Sequence, residues 1–282
     1  MTRPLTFALL GHPVSHSLSP AMFGAAFEAA GLPHRYERVD VPTPRDFDDA
    51  LARVRTGDLE GVNVTLPHKR LALERADLAA PSAAGTGAAN VLAHAEGARL
   101  VAHNTDVEAL RGRLPSAIRT GLVLGAGGAA LAAIRALALR GAQHIVVTSR
   151  SFEHDVRERF DGSPLASAGA DLLPWLSALD ALAPELDVVV QATSAGVGSH
   201  NPQTEAFLDR IPWEKLPATA FAIDLVYGRV PTPFVARAQS RGLRAEDGVA
   251  MLVAQAEASF ELWLGRASPP GAMRRAVDLA RG

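Results

Sequence analysis

The chain has 282 residues, 48% of them hydrophobic and 21% charged, a composition typical of globular proteins that excludes an intrinsically disordered chain. Its formal net charge of −2 argues against non-specific binding to nucleic acid or to an anionic membrane surface. The sequence contains no cysteine, which excludes disulfides, thiolate metal sites and a cysteine nucleophile and favours a cytoplasmic location.

The first hundred residues predict strands and helices in alternation, the pattern of an α/β domain. Ser19 suits the N-cap of the first helix, Pro20 suits its first turn, and Gly31 suits its C-terminal end. The predicted strands are 5–10, 34–41, 61–66, 90–93 and 100–103, and the predicted helices are 21–30, 45–55, 67–79 and 107–113.

A second region begins near Gly121 and opens with a complete β-α-β unit, in which a helix ending at Arg140 joins two strands. Two regions of this kind, in a chain of this length, favour two domains. The predicted strands here are 121–124, 144–148, 187–191 and 220–226, and the predicted later helices are 233–241, 250–264 and 272–280.

The turn after strand 121–124 reads Gly125-Ala126-Gly127-Gly128-Ala129-Ala130 and matches a dinucleotide-binding fingerprint. In that fingerprint the first glycine permits a tight turn, the second lets a pyrophosphate approach the backbone, and the small third residue allows close helix packing. The phosphates then lie at a helix N-terminus. Because a strand precedes the loop and a helix follows it, we predict a dinucleotide cofactor; an ordinary glycine-rich turn is the alternative.

The end of the next strand distinguishes NAD from NADP. An NAD site usually carries Asp or Glu there to bind the ribose 2′-hydroxyl, whereas this chain has Thr148-Ser149-Arg150-Ser151. Because a guanidinium binds phosphate through paired, charge-assisted hydrogen bonds, Arg150 favours the 2′-phosphate of NADP. The alternative is an arginine on a solvent-exposed loop.

Polar side chains lie after the first strand, on one face of strand 61–66 and at the end of a later strand, and strand ends are where open α/β sheets usually bind ligands. Each also has a structural explanation: Ser19 fits an N-cap, Asn63 a turn residue and Asp106 a helix cap. Together they predict a pocket for a hydroxylated small molecule. They are Ser15, Ser17, Ser19, Asn63, Thr65, Asn104, Thr105 and Asp106.

Lysine is rare in this chain, since only Lys69 and Lys215 are lysines among 28 basic residues. Arginine supplies the positive charge elsewhere, so a lysine beside a polar strand end indicates that the amine itself is needed. An amine can lose a proton near neutral pH, whereas a guanidinium effectively cannot. We therefore predict that Lys69 is functional and that Lys215 is a surface residue.

Motifs along almost the whole chain resemble those of the shikimate dehydrogenase family. They follow the family's order and lie at residues 11–20, 61–69, 87–90, 104–106, 125–129, 192–196, 224–227 and 248–255. The resemblance implies an oxidoreductase that reversibly reduces 3-dehydroshikimate to shikimate, in the pathway to chorismate and the aromatic amino acids. It also implies NADP as the cofactor.

The resemblance assigns roles to individual residues. Lys69 and Asp106 match the family's catalytic pair, and either could be the proton donor. The positions that match substrate contacts are Ser17, Ser19, Thr65, Asn90, Tyr227 and Gln255. The positions that match cofactor contacts are Gly125, Ala126, Gly127, Gly128 and Ala129 in the pyrophosphate loop, Ser149, Arg150, Ser151 and His154 in the adenosine-phosphate loop, and Leu225 and Gly248 near the nicotinamide. No metal site is expected.

The resemblance also implies an architecture, because the family's last helices return to its first domain. We expect an α/β protein with an N-terminal substrate-binding and catalytic domain, comprising residues 1–106 and 246–282. Residues 107–245 would form a Rossmann-type NADP-binding domain. The expected partner is a small-molecule substrate, with no nucleic acid and no membrane, and the protein would be a monomer or a homodimer.

Departures from the family's motifs keep two alternatives open. Ser149-Arg150-Ser151 stands where Asn-Arg-Thr is usual, Gln191 replaces an asparagine, and Val91 replaces a threonine. One alternative is a quinate/shikimate dehydrogenase that uses NAD or both cofactors. The other is a catalytically silent relative that only binds ligands, and the intact Lys69 and Asp106 argue against it.

Overall fold

The structure is a computed structural model that describes residues 3–152, 165, 168–196, 202–228 and 231–281. The chain forms two compact units: Met1–Ala109 with Leu252–Gly282, and Leu110–Met251. We call these the first and the second unit. Among the described residues, no helix combines the length and the apolar character needed to span a bilayer.

The first unit contains a mixed six-stranded sheet in the order β2-β1-β3-β5-β6-β4. β1 pairs in parallel with β2 and β3, whereas β5 is antiparallel to both β3 and β6. The strands are β1 Thr6–Gly11, β2 Arg35–Asp40, β3 Gly61–Val64, β4 Leu78–Ala79, β5 Val91–Ala95 and β6 Arg99–His103. The helices that accompany them are α1 Ser19–Ala29, α2 Pro44–Arg55, α3 Lys69–Arg75, α4 Pro81–Ala84 and α5 Asp106–Arg111.

Helix α2 shows how local sequence and packing combine in this unit. Thr43 accepts a hydrogen bond from the backbone N–H of Asp46, and the Asp46 carboxylate accepts one from the Thr43 N–H, which completes a capping box. The apolar face of the helix, including Phe47 and Leu51, packs in one core cluster with residues of β1, β3, β5 and β6. Burial of such side chains is the main source of the stability of the unit.

The second unit contains a fully parallel six-stranded sheet in the order β12-β11-β10-β7-β8-β9. Numbered within the unit, this is the 3-2-1-4-5-6 order of a Rossmann fold. The strands are β7 Thr120–Leu124, β8 His144–Thr148, β9 Asp171–Leu173, β10 Val188–Gln191, β11 Phe221–Asp224 and β12 Arg244–Glu246, and the described helices are α6 Gly128–Leu139, α7 Leu179–Leu182, α8 Pro202–Leu208 and α9 Pro233–Ser240.

The last two helices, α10 Val249–Leu264 and α11 Ala272–Arg281, belong mostly to the first unit. Helix α11 packs against α1. Trp263 of α10 stacks on Phe7 of β1 at 4.8 Å between ring centroids. A Cβ atom at Gly61 would lie 2.3 Å from the indole Nε1 of Trp263, so the glycine is what lets α10 approach β3. The return of the C-terminal helices and the α/β fold class are confirmed.

Two local predictions are wrong. The helix predicted over 67–79 ends at Arg75, because Asp77 bonds Arg55 and the Leu100 N–H and thereby aligns Leu78–Ala79 as a strand beside β6. Ser19 is not an N-cap, since α1 begins at Ser19 itself and no side chain caps it. Ser17 Oγ instead accepts the Ser19 N–H at 3.2 Å.

Candidate functional site

The two residues predicted to be catalytic form a direct ion pair. Lys69 opens α3 and Asp106 opens α5, and Lys69 Nζ lies 2.6 Å from Asp106 Oδ2. Their side chains are only 15% and 6% exposed. Because desolvation offsets much of the Coulombic gain of such a pair, burial of both charges is poor evidence of a stabilising role. A buried ion pair of this kind therefore calls for a functional explanation.

Asn90 fixes the orientation of the Asp106 carboxylate. Its Nδ2 donates to Asp106 Oδ1 at 3.0 Å, while Lys69 donates to Oδ2, so both carboxylate oxygens are engaged. Asn90 Nδ2 also donates to Thr105 Oγ1 at 2.8 Å and lies 3.4 Å from Gln255 Oε1. The structure therefore joins Lys69, Asn90, Asp106 and Gln255 in one network.

The start of α5 is capped by Asn104 and not by Asp106. Asn104 Oδ1 accepts the backbone N–H groups of Asp106 and Val107 at 3.1 and 3.3 Å. Its Nδ2 donates to Ala88 O at 2.9 Å, which ties the cap to the segment before β5. The interpretation of Asp106 as a helix cap is thus wrong, and its carboxylate is free of that structural role.

Ser17 and Ser19 follow β1, as predicted, whereas Thr65, which was predicted inside strand 61–66, follows the end of β3. Ser17 Oγ lies 3.1 Å from Ser19 Oγ after β1. Thr65 follows β3 and its N–H bonds Leu10 O at 2.9 Å, so the two strand ends adjoin. A Cβ atom on Gly11 would lie 2.3 Å from Thr65 Cγ2, which shows how closely these ends approach.

Sequence reasoning missed two polar residues of this region, Tyr36 on β2 and Ser259 on α10. Tyr36 donates to Asn63 Oδ1 at 2.8 Å, and Asn63 Nδ2 donates to Ser259 Oγ at 2.9 Å. A signal for Ser259 was available, because it lies four residues after Gln255 and so shares its helix face. For Tyr36, the signal was a single aromatic residue in a strand of charged residues.

In the second unit, the predicted pyrophosphate loop lies where a Rossmann sheet binds its ligand. Gly125 follows β7 with φ of +121°, and a Cβ atom there would lie 2.9 Å from Ala192 O at the end of β10. The loop therefore lies between β7 and β10, where the order of the strands reverses and where sheets of this type bind their ligands. Gly127 has open space around its Cβ position, and α6 begins at Gly128. The loop of Gly125, Ala126, Gly127, Gly128 and Ala129 thus has the tight turn and open backbone that a dinucleotide pyrophosphate requires.

The segment after β8 presents a small polar group beside this loop. Gly125 N donates to Thr148 O at 2.8 Å, which joins the loop to the end of β8. Ser149 Oγ lies 3.0 Å from Ser151 Oγ, and Arg150 between them is exposed. An exposed arginine between two serines in the sequence suits a phosphate, which a guanidinium and hydroxyls can all bind. His154 lies outside the described residues.

Three predicted residues remain: Leu225, Gly248 and Tyr227. The structure brings the first two together. Gly248 N donates to Val226 O at 3.0 Å, and a Cβ atom on Gly248 would lie 2.6 Å from Leu225 O, so Leu225 and Gly248 adjoin. Tyr227 lies in the second unit, three residues beyond β11. Among the described residues, no group of three or more potential ligands could hold a metal ion.

Asp224 ends β11 with a fully buried carboxylate. Thr232 Oγ1 donates to its Oδ2 at 2.6 Å, and the Val226 N–H donates to its Oδ1 at 3.0 Å. Burial raises the pKa of Asp224 to about 7, although the two hydrogen bonds act in the opposite direction. The folded protein therefore holds a proton that the unfolded chain releases near pH 4.

We expect the free energy of unfolding to fall by at most about 4 kcal/mol as the pH rises from about 4 to about 7, since the folded state binds the extra proton. Asp224→Asn should remove this slope, because an uncharged amide can accept the Val226 N–H through its oxygen and donate to Thr232 Oγ1 through its nitrogen. Urea denaturation between about pH 5 and pH 8 measures it, with the exposed Asp180→Asn as control. An unchanged slope in Asp224→Asn would assign the pH dependence to another group.

Comparisons with known proteins agree on one family. The model of the shikimate dehydrogenase substrate binding domain matches residues 9–92, and that of the shikimate 5′-dehydrogenase C-terminal domain matches residues 248–277. The chain is 37% identical over 278 residues to shikimate dehydrogenase (NADP(+)) of Geobacter metallireducens, which covers 95% of this chain and 94% of the relative.

Solved structures match over the full length. Shikimate 5-dehydrogenase from Thermus thermophilus, in complex with NADP(H) and shikimate, aligns with a TM-score of 0.80 and 36% identity, over 98% of this chain and 99% of that chain. The ligand-free 5-ketofructose reductase of Gluconobacter sp. strain CHM43 aligns with a TM-score of 0.78 and 29% identity, over 99% of both chains. The same fold thus also carries a reductase named for a different carbonyl substrate.

Proposed function

Because the chain belongs to the shikimate dehydrogenase family, we propose that it catalyses the reversible, NADP-dependent reduction of 3-dehydroshikimate to shikimate. The observation that carries this proposal is the buried pair of Lys69 and Asp106, which lie 2.6 Å apart at the first residues of α3 and α5. A ligand-binding relative without activity would gain nothing from two desolvated charges, which cost free energy to bury.

In this proposal Lys69 and Asp106 hold the substrate oxygen at the carbon that is reduced and supply its proton. Asn90 keeps the carboxylate in place through its bond to Asp106 Oδ1. The pair shares one hydrogen bond at 2.6 Å, so both groups lie within reach of the same substrate oxygen. Ser17 and Ser19 bind the substrate carboxylate, and Thr65, Tyr227 and Gln255 contact the rest of the substrate.

The second unit would hold the cofactor, which supplies or accepts the hydride when bound. The open space at Gly127 and the backbone N–H groups at the start of α6 would hold the pyrophosphate. Arg150, Ser149, Ser151 and His154 would bind the adenosine phosphate. Leu225 and Gly248 would form the wall at the nicotinamide.

The absorbance of reduced nicotinamide, after shikimate and NADP⁺ are added to the protein, tests the proposal. We expect turnover with shikimate and NADP⁺, and much less with quinate or with NAD⁺. Turnover of quinate at a comparable kcat/KM would favour a quinate/shikimate dehydrogenase. Binding of shikimate without turnover would favour a silent relative.

Ser17→Ala should lower kcat/KM for shikimate by about tenfold to a hundredfold, because a hydrogen bond to a charged group is worth about 1.5–3 kcal/mol. The KM for NADP⁺ should not change. Steady-state kinetics measure both constants, and the exposed Ser116→Ala is the matched control. A higher KM for NADP⁺ with an unchanged KM for shikimate would move Ser17 out of the substrate site.

Arg150→Ala should raise the KM for NADP⁺ at least about tenfold and leave that for NAD⁺ nearly unchanged, because only NADP⁺ carries the phosphate that a guanidinium binds. Kinetics with both cofactors measure the ratio, and the exposed Arg241→Ala is the control. An equal effect on both cofactors would show that Arg150 does not contact the phosphate.

We also propose that the two functional domains are those expected from the sequence, with substrate binding in residues 1–106 and 246–282 and NADP binding in 107–245. A cytoplasmic location accords with the absence of cysteine. The proposal includes a monomer or a homodimer, which sedimentation velocity distinguishes.

A further inference from the structure

His68, which directly precedes Lys69, is a buried histidine to which the proposed reaction gives no role. It is only 4% exposed. Its ring stacks on Phe47 of α2, with 4.8 Å between ring centroids and 24° between planes. The ring Nε2 lies 2.6 Å from the backbone oxygen of Val41, the residue that follows β2. All of these residues belong to the first unit.

The contact with Val41 fixes where the His68 ring carries a proton. A backbone carbonyl oxygen can only accept a hydrogen bond, so Nε2 is protonated and donates to Val41 O. Burial of a polar ring costs free energy unless the ring is hydrogen-bonded, and an apolar side chain would fill the same space without that cost. Packing alone therefore does not account for a histidine at this position, whereas the bond to Val41 O does.

Val41 is a firm anchor for this bond. It is buried and belongs to the same core cluster as Phe47. Its own N–H donates to Gly11 O at 3.0 Å, which ties it to the end of β1. The bond from the His68 ring therefore attaches the chain before α3 to the sheet and the core of the first unit.

Helix α3 has few other supports at its start. Of its seven residues only Ala72 is buried, and its N-cap residue, His68, makes no side-chain capping bond. The His68 N–H donates to Thr65 O at 3.0 Å, and its carbonyl accepts the Ala72 N–H at 2.8 Å. The Lys69 carbonyl accepts the Ala89 N–H at 2.8 Å. The His68 ring is thus the only side chain that ties the residue before Lys69 to the core.

We propose that His68 is a positioning residue for Lys69. The bond from its ring to Val41 O fixes the first residue of α3 and thereby holds the Lys69 amine close to Asp106. The inference rests on the proposed role of Lys69 and Asp106 in proton transfer. The His68 ring is buried against Phe47 and contacts no reacting atom, so it acts through Lys69. Because a displacement of about 1 Å can lower the rate about a hundredfold, the effect falls on kcat.

Two substitutions separate the bond of His68 from the packing of its ring. His68→Leu removes the ring and the N–H donor, and it should lower kcat about tenfold to a hundredfold, with a much smaller change in the KM for shikimate. His68→Gln also removes the ring, but its amide nitrogen can reach the place of Nε2 and donate to Val41 O. Its kcat should therefore stay within about threefold of that of the unmodified protein.

Leu51→Ala is the control for a loss of stability. It opens a cavity in the core cluster that contains Phe47 and Val41, so it should lower the melting temperature. Its kcat should not change, because Leu51 does not hold the start of α3. If His68→Leu acted only by weakening the core, it would behave as Leu51→Ala does.

A double-mutant cycle tests whether His68 acts through Lys69. In the Lys69→Ala background, His68→Leu should not lower kcat further, because the group that it positions is gone. If His68→Leu does not fold, as judged by circular dichroism, His68→Asn replaces it. Asparagine is a good N-cap residue, but its amide is too short to reach Val41 O, so the same loss of kcat is expected.

Three results would overturn the positioning role of His68. They are an unchanged kcat in His68→Leu, a His68→Gln enzyme as slow as His68→Leu, and multiplied effects of His68→Leu and Lys69→Ala on kcat. An unmodified protein that does not turn over shikimate would instead refute the proposed function, and this inference with it.

Discussion

Lys69→Ala should lower kcat by a factor of about 10²–10⁴, the usual contribution of a positioned proton donor. The KM for shikimate should change much less, because Ser17, Ser19 and Gln255 remain. Lys215→Ala is the matched control, since it removes the only other lysine, which pairs with Asp180 at the surface. A near-normal kcat in Lys69→Ala would leave Asp106 as the proton donor.

Lys69→Arg separates proton transfer from charge. We expect it to be nearly as inactive as Lys69→Ala, because a guanidinium does not release its proton near neutral pH and its planar group is larger than an ammonium. Considerable residual activity would show that Lys69 acts through its charge alone. The melting temperature of both variants should be measured beside the kinetics. Lys69→Ala leaves the buried Asp106 carboxylate without its cation, so we expect its stability to fall.

Gly127→Ala should raise the KM for NADP⁺ about tenfold or more while the melting temperature stays within a few degrees. The protein itself tolerates the new methyl group, because no atom lies within 4 Å of the Cβ position and the φ of −84° suits any residue. Only a pyrophosphate lying against the backbone would meet it. Kinetics and differential scanning calorimetry measure the two effects.

Gly24→Ala provides the control for Gly127→Ala, since its Cβ position inside α1 is equally open. There alanine should stabilise the helix by about 0.5–1 kcal/mol and change neither KM. A Gly127→Ala enzyme with an unchanged KM for NADP⁺ would place the pyrophosphate elsewhere. A large loss of stability would instead indicate that the loop is more crowded than its geometry implies.

The features of the candidate site that depend on a short stretch of sequence could be predicted from the sequence alone. The loop at Gly125 follows a strand and opens a helix, so local pattern alone located it. Lys69 stood out because arginine serves for nearly all other positive charges. The bond between Asn63 and Ser259 joins residues 196 positions apart, and no local pattern can indicate such a pair.

The missed strands share a physical cause. β4, β9 and β12 have two or three residues each and all lie at sheet edges. Edge strands of this length are specified by their neighbours and not by hydrophobic alternation. The helix predicted through Ala79 failed for a related reason. Good helix formers continue past Arg75, but the bonds of Asp77 to Arg55 and Leu100 outweigh local propensity.

Trp263, which packs against Gly61 and Phe7, is an intrinsic fluorescent probe of the first unit. Of the three tryptophans, Trp175 and Trp213 belong to the second unit and Trp263 belongs to the first. Trp263 lies 6.4 Å from the Tyr36 ring, between centroids. In a chain that keeps Trp263 and replaces the other two with phenylalanine, tryptophan emission would report on the first unit alone. Unfolding of the first unit could then be followed separately from that of the nucleotide-binding sheet.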